Sequence, residues 1–197
     1  GKYGGIPVGK ITEIAGLTSA GKSFMAVQIA ANAQKMGMTV VYFDAESAID
    51  PQFLTTAGVK VGDLLYVQAL SVEKVLETIE DLMGEYPETQ FLFIWDSIAA
   101  TTSEKEMESD FNPQSTMAVK PRIFAKAFPK LTIPLANQQC TLILVNQLKT
   151  NITSNVAEAM TTPYIAPGGK AIGYFCSQRI WLTKRKAKAG YVTDSSG

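Results

Sequence analysis

An α/β domain built on a mostly parallel sheet with helices on both faces is the architecture this sequence predicts. Three observations carry the prediction. Apolar runs of strand length recur along the 197 residues, segments of helical period lie between them, and the first strand-to-helix junction holds a glycine-rich turn ending in Gly21-Lys22-Ser23. Strands that alternate with helices pair in parallel, because each helix returns the chain across the sheet before the next strand begins.

The elements follow in order. Ile11 to Ala15 reads as a short buried strand, Lys22 to Met36 as a helix and Thr39 to Phe43 as the second strand. Pro51 to Ala57 makes a short helix and Leu64 to Val67 a third strand. Val72 to Met83 is helical, with Ser71 as its cap and Lys74 and Glu77 on its outer face. Phe91 to Trp95 and Thr141 to Val145 are two further strands. Between them Met117 to Ala136 has helical period, but Pro121, Pro129 and Pro134 predict kinks or an early end. From Leu148 to Gly169 the chain turns polar, with Pro163, Pro167 and paired glycines and no clear period; long loops of this kind are commonly functional. Gln178 to Lys186 alternates enough to add a strand.

Composition narrows the function. With 46% apolar and 18% charged residues the chain is globular and of one-domain size. No run of about 18 apolar residues is present to span a membrane. No basic-then-apolar leader opens the chain, which argues against secretion. The start at Gly1 and the end in Ser195, Ser196 and Gly197 look like a fragment cut at both ends. Cys140 and Cys176 sit in apolar surroundings and read as inert buried thiols in a reducing cytoplasm. Histidine is absent, which removes Ser-His and Cys-His catalysis and most zinc sites. Charge is segregated: residues 1–110 carry 16 acids and 7 bases, a net of −9, and residues 111–197 carry 2 acids and 11 bases, a net of +9. The second half suits a polyanion, although an ordinary solvated surface explains it equally well.

Gly16-Leu-Thr-Ser-Ala-Gly21-Lys22-Ser23 fits G-x-x-x-x-G-K-[ST] at every fixed position, after a strand and at the start of a helix. Glycines let successive N–H groups converge on phosphate oxygens, and the helix dipole adds to them. In such a loop Lys22 meets the β- and γ-phosphates and the Ser23 hydroxyl ligates magnesium. Nucleotide contacts are expected at Gly16, Ser19, Ala20, Gly21, Lys22, Ser23 and Phe24. Asp96, closing the apolar run Phe91 to Trp95, is the expected second metal residue beside Ser23. Asp44 ends another apolar strand and Glu46 follows it, so either carboxylate could orient an attacking water.

Phe43-Asp-Ala-Glu46-Ser-Ala-Ile-Asp50-Pro51 closely resembles the motif of the bacterial RecA-type recombinases. Gly5-Ile-Pro, Asp96-Ser97, Asn146-Gln147, Gly168-Gly-Lys-Ala171 and Arg179 are similar to that family in order and separation, so the resemblance covers almost all of the chain. It implies a RecA-like P-loop ATPase core over residues 1–197, using ATP and Mg2+, with the family's N-terminal helix and strand and its C-terminal part outside this sequence. It makes Glu46 the general base, places Asp50 and Phe53 along the adenine, and gives Gln147 the sensing of the γ-phosphate beside Lys22.

The same resemblance implies two DNA-binding loops, near Glu108 to Met117 and Leu148 to Gly169, with Met117, Arg122, Lys149, Gly168, Gly169 and Lys170 on matching positions. Lys184, Arg185, Lys186 and Lys188 read equally as DNA contacts or a solvated tail. The pattern departs from the family in a longer second loop containing Tyr164 and two prolines, in Pro129 where a basic residue is usual, and in Gly173 where a lysine is usual. The function implied is a cytoplasmic, DNA-dependent ATPase that polymerises on single-stranded DNA as a filament or ring and pairs it with a duplex. The alternative is a helicase motor or regulatory ring ATPase on the same fold; a nucleotide-binding scaffold with little turnover is a third reading.

Overall fold

The computed structural model describes residues 4–47, 49–108, 118–151 and 160–183. Its centre is a six-stranded sheet of β1 (Ile11–Gly16), β2 (Thr39–Asp44), β3 (Leu64–Gln68), β4 (Phe91–Asp96), β5 (Thr141–Gln147) and β8 (Cys176–Leu182). The spatial order is β3-β2-β4-β5-β1-β8, and every pair is parallel. The strand β8 begins two residues before the Gln178 expected from alternation, because Cys176 already pairs with Ile11 of β1, with a register shift before Thr12; residues 184–186 of the expected strand lie outside the described residues.

Side-chain alternation splits the core into two layers. Val40, Tyr42, Leu92, Ile94, Ile143 and Val145 face α1 (Lys22–Lys35) and α2 (Pro51–Thr56), where small Ala26, Ala30 and Ala31 let α1 lie close. On the other face Val41, Phe43, Phe93 and Leu144 meet α3 (Val72–Glu85), α5 (Val119–Gln138) and α6 (Lys170–Phe175). A short α4 (Glu104–Glu108) lies between β4 and α5 in sequence. Ser71 caps α3 by accepting from the Lys74 amide at 3.0 Å, and Lys74 and Glu77 pair on the solvent side. No helix among the described residues is long and apolar enough to cross a membrane.

The prolines of α5 do not end it. The helix runs from Val119 through Pro129 and Pro134 to Gln138. Pro121 falls in the first turn, where its missing N–H has no helical partner anyway. Pro129 and Pro134 lie on the exposed face, as do Ala125 and Lys130, whose carbonyls lose their partners and face water. Phe124, Phe128, Leu131 and Leu135 form the opposite, fully buried stripe, and each buried side chain contributes about 1.5–3 kcal/mol. That stripe outweighs the proline penalty of about 3 kcal/mol per site. Buried Trp95 meets Phe124 edge-on at 5.8 Å and donates its indole N–H to Thr101 Oγ1 at 2.8 Å.

The two ends of the polar segment after β5 are more regular than its composition suggests; its residues 152–159 lie outside the described residues. Its two arms pair as a short antiparallel ribbon, β6 (Lys149–Thr150) with β7 (Tyr164–Ile165). Asn151 extends the pairing by donating its backbone N–H to Pro163 O and its side-chain amide to Thr162 O. Hydrogen bonding between the arms supplies the order that apolar burial does not.

Candidate nucleotide site and nucleic-acid surface

In an all-parallel sheet every strand ends on the same edge, and loops at that edge can gather side chains from distant parts of the sequence. Here β2, β4 and β5 deliver their last residues, and β1 the turn that follows it, around one cavity. Thr18, Ser19, Lys22 and Ser23 line one side of it; Asp44, Glu46, Ile49 and Phe53 line a second, and Asp96, Ser97 and Gln147 close it.

The glycine-rich turn is held by close packing. A Cβ on Gly16 would stand 2.9 Å from the Leu182 carbonyl oxygen and 3.2 Å from Ala20 Cβ, so only glycine lets β8 and the turn approach. Gly21, with φ of 90°, precedes the first turn of α1 and leaves that helix's N-terminal amides facing the loop. The Lys22 ammonium donates to Leu17 O at 2.9 Å, folded back over the turn. Leu148 N donates to Gly16 O and Gln147 Nε2 to Thr18 Oγ1, at 3.0 and 2.6 Å, so the end of β5 is fastened directly to the turn.

Two carboxylates that look alike in the sequence separate in space. Asp44 is 2% exposed, and its oxygens accept from Glu46 N, Ile49 N and the Tyr66 hydroxyl at 3.0, 3.2 and 3.0 Å. It shapes the turn at the cavity wall, while Glu46, which also lines the cavity, is exposed. Burial, foremost, and then the hydrogen bond to Asp44 raise the Tyr66 pKa, keeping it a donor. Asp50 accepts from Gln52 N at 2.9 Å as the cap of α2 and does not itself line the cavity. Phe53 does, and exposed Phe24 stands beside it with ring centroids 6.2 Å apart.

Asp96 has a partner that sequence reasoning missed. Tyr42, on the adjacent strand, donates its hydroxyl to Asp96 Oδ2 at 2.7 Å. Burial and, after it, the Asp96 carboxylate hold the Tyr42 phenol far above its ordinary pKa, so it stays protonated. The available signal was a tyrosine within an otherwise apolar strand, since a buried phenol needs a hydrogen-bond partner. Tyr42→Phe is expected to destabilise the fold by about 1.5–3 kcal/mol, the range for a hydrogen bond to a charged group, as measured by urea unfolding. Thr18 was also missed; its hydroxyl stands at a free position of the glycine-rich motif.

The residues expected to touch nucleic acid lie beyond the same edge. Arg122 is exposed on α5, Lys149 on β6, and Lys170 opens α6. Gly168 and Gly169 lead into α6, and a Cβ on Gly169 would stand 2.9 Å from Pro121 Cβ, which brings this turn against the start of α5. Lys120 joins them unforeseen: its ammonium donates to Ala99 O at 3.3 Å. Burial lowers its pKa, Glu106 opposes the shift and Lys149 adds to it. Met117 and the cluster Lys184, Arg185, Lys186 and Lys188 lie outside the described residues. Cys140 is buried as expected, but Cys176 is only half-buried; burial still pushes its thiol up to about 12.

Comparison with known proteins places the chain in a family. The chain is 33% identical to the mitochondrial DNA repair protein recA homolog of Dictyostelium discoideum over 181 residues, 92% of this chain and 38% of that protein. It is 36% identical to Protein RecA of Chlamydia abortus over 187 residues, 95% of this chain and 52% of that one. Protein RecA of Treponema pallidum is 36% identical over 181 residues, 92% of this chain and 43% of that one. The chain therefore spans between 38% and 52% of the length of these relatives. The model of the RecA N-terminal domain matches residues 2–194, and the chain belongs to that family.

Proposed function

We propose that residues 1–197 form the single ATP-hydrolysing core of a recombinase that assembles as a homo-oligomer on single-stranded DNA and pairs it with a homologous duplex. The observation that carries this reading is the convergence of Lys22, Ser23, Glu46, Asp96 and Gln147 on one cavity, with Gln147 one residue before the ribbon that carries Lys149.

The donor set fits a magnesium nucleotide. Ser23 and Asp96 are two oxygen donors that need phosphate and water oxygens to complete an octahedral shell, and no cluster of three or more metal-binding side chains occurs among the described residues. Bound Mg2+ and ATP would supply the phosphoanhydride bond to be broken and neutralisation of its charge. Gly16, Ser19, Ala20 and Gly21 present backbone to the phosphates, and Lys22 leaves the Leu17 carbonyl to meet them. Glu46 takes a proton from the attacking water, which its exposure to the cavity permits. Phe24 and Phe53 offer ring surface to the base, and Asp50, by capping α2, sets where Phe53 stands. Gln147 exchanges its bond to Thr18 for one to the γ-phosphate and passes the change to the next residues. Arg122, Lys120, Lys149 and Lys170 neutralise DNA phosphates and Met117 offers an apolar contact to the strand, while Gly168 and Gly169 offer backbone amides. A cytoplasm that keeps Cys140 and Cys176 reduced suits the two unpaired thiols.

Strand exchange is the test. A protein of the relatives' length carrying this core, given circular single strands and homologous linear duplex, is expected to form joint molecules only with ATP. Unwinding or translocation without pairing assigns the core to a helicase motor instead.

A further inference from the structure

Asn146 and Gln147, consecutive at the end of β5, leave the strand on opposite sides, as the period of two requires. Gln147 reaches Thr18 in the glycine-rich turn. Asn146 is fully buried on the other side, and its Nδ2 donates to both Glu13 Oε1 and Pro167 O at 2.8 Å. Glu13 sits in the middle of β1, also fully buried, and its second oxygen accepts from Arg179 Nε of β8 at 2.6 Å. The Arg179 guanidinium in turn lies 5.8 Å from the ring of Trp181, which is 46% exposed.

A carboxylate inside a parallel sheet is costly unless it is paired and hydrogen-bonded, and apolar neighbours such as Ile14 and Ala15 show what usually fills such positions. Its position fixes the Asn146 amide. Only the NH2 end can satisfy two facing acceptors, and the Asn146 Oδ1 atom is left buried with no partner. The orientation is therefore set by Glu13 on one side and Pro167 on the other.

We propose that Asn146 is a positioning residue that holds the returning arm of the polar segment, through the Pro167 carbonyl, to the same strand end that carries Gln147, with Glu13 as its anchor. Pro167 is followed by the Gly168–Gly169 turn, with φ of 104° and 74°, and that turn rests on Pro121 of α5. A shift of the β5 end reaches the outgoing arm through Leu148 and the returning arm through Asn146, so both arms move together. Coupling of this kind needs an element with two arrangements that both sites bias. The inference rests on the reading of Gln147 as nucleotide sensor and of the ribbon as a DNA contact.

Hydrogen exchange by mass spectrometry on the full chain decides it. In Asn146→Ala the amides of residues 164–170 are expected to exchange at least about tenfold faster, corresponding to about 1.4 kcal/mol of lost local protection. Amides of β4 should be unchanged, and nucleotide affinity should stay within about twofold, because Asn146 does not line the cavity. Unchanged exchange over 164–170 in a folded Asn146→Ala protein overturns the proposal, and so does faster exchange spread evenly through β4. A second arm compares single-strand affinity with a non-hydrolysable ATP analogue and with ADP. Asn146→Ala should reduce the wild-type ratio at least about tenfold. A wild type with no such ratio overturns the DNA reading, while the exchange result still decides whether Asn146 positions the turn.

Discussion

Glu46→Gln is expected to bind ATP within a few-fold of wild type and to lose about 10²–10⁴-fold in hydrolysis, the usual contribution of a general base. Geometry separates this carboxylate from its neighbour. Both border the cavity, but Asp44 is buried with both oxygens engaged in shaping the turn, whereas Glu46 is exposed. Glutamine preserves the size and polarity of the side chain but accepts no proton at neutral pH. Single-turnover hydrolysis beside equilibrium nucleotide binding measures the split. A variant that loses affinity and keeps turnover makes Glu46 a structural acid.

Lys22→Ala should act on binding and chemistry together. The side chain is the one cation of the glycine-rich turn, and a charge-assisted contact to developing phosphate charge is worth about 10²–10³-fold in rate. The substitution also removes the bond from Lys22 Nζ to Leu17 O, which braces the turn. Circular dichroism and urea unfolding are therefore needed beside the assay, and a modest stability loss is expected. Near-normal turnover in a folded Lys22→Ala protein removes the basis for placing ATP hydrolysis in this cavity.

Much of the architecture was legible because it is local. Strand runs, helical periods and the Ser71 cap are short-range patterns; β1 to β5 start at the expected residues, and β8 starts two residues before the expected Gln178. Path through the prolines of α5 was not legible, since it depends on which helical face meets the sheet. Proximity was hidden in the same way: Tyr42 and Asp96 are 54 positions apart and meet only because β2 and β4 pair in register. Glu13, Asn146 and Arg179 come from three strands, and nothing in the run Ile11 to Ala15 announces that its acid is inside. Asp50 could be seen as a carboxylate before Pro51, but its cap on α2 came from local geometry rather than from a ligand. The ribbon at the base of the polar segment pairs only two residues on each arm, too few to show a period.

The two tryptophans divide the molecule into separately observable regions. Trp95 is sealed in the core with its indole hydrogen-bonded to Thr101, whereas Trp181 stands at the outer strand beside Arg179 and touches solvent. Their fluorescence should differ accordingly, the first at short wavelength and shielded from iodide, the second red-shifted and open to it. Spectral changes on adding nucleotide or nucleic acid can then be apportioned without any label. A shift confined to the quenchable component would locate the response at β8, next to the buried Glu13, while the shielded component reports only whether the sheet stays intact.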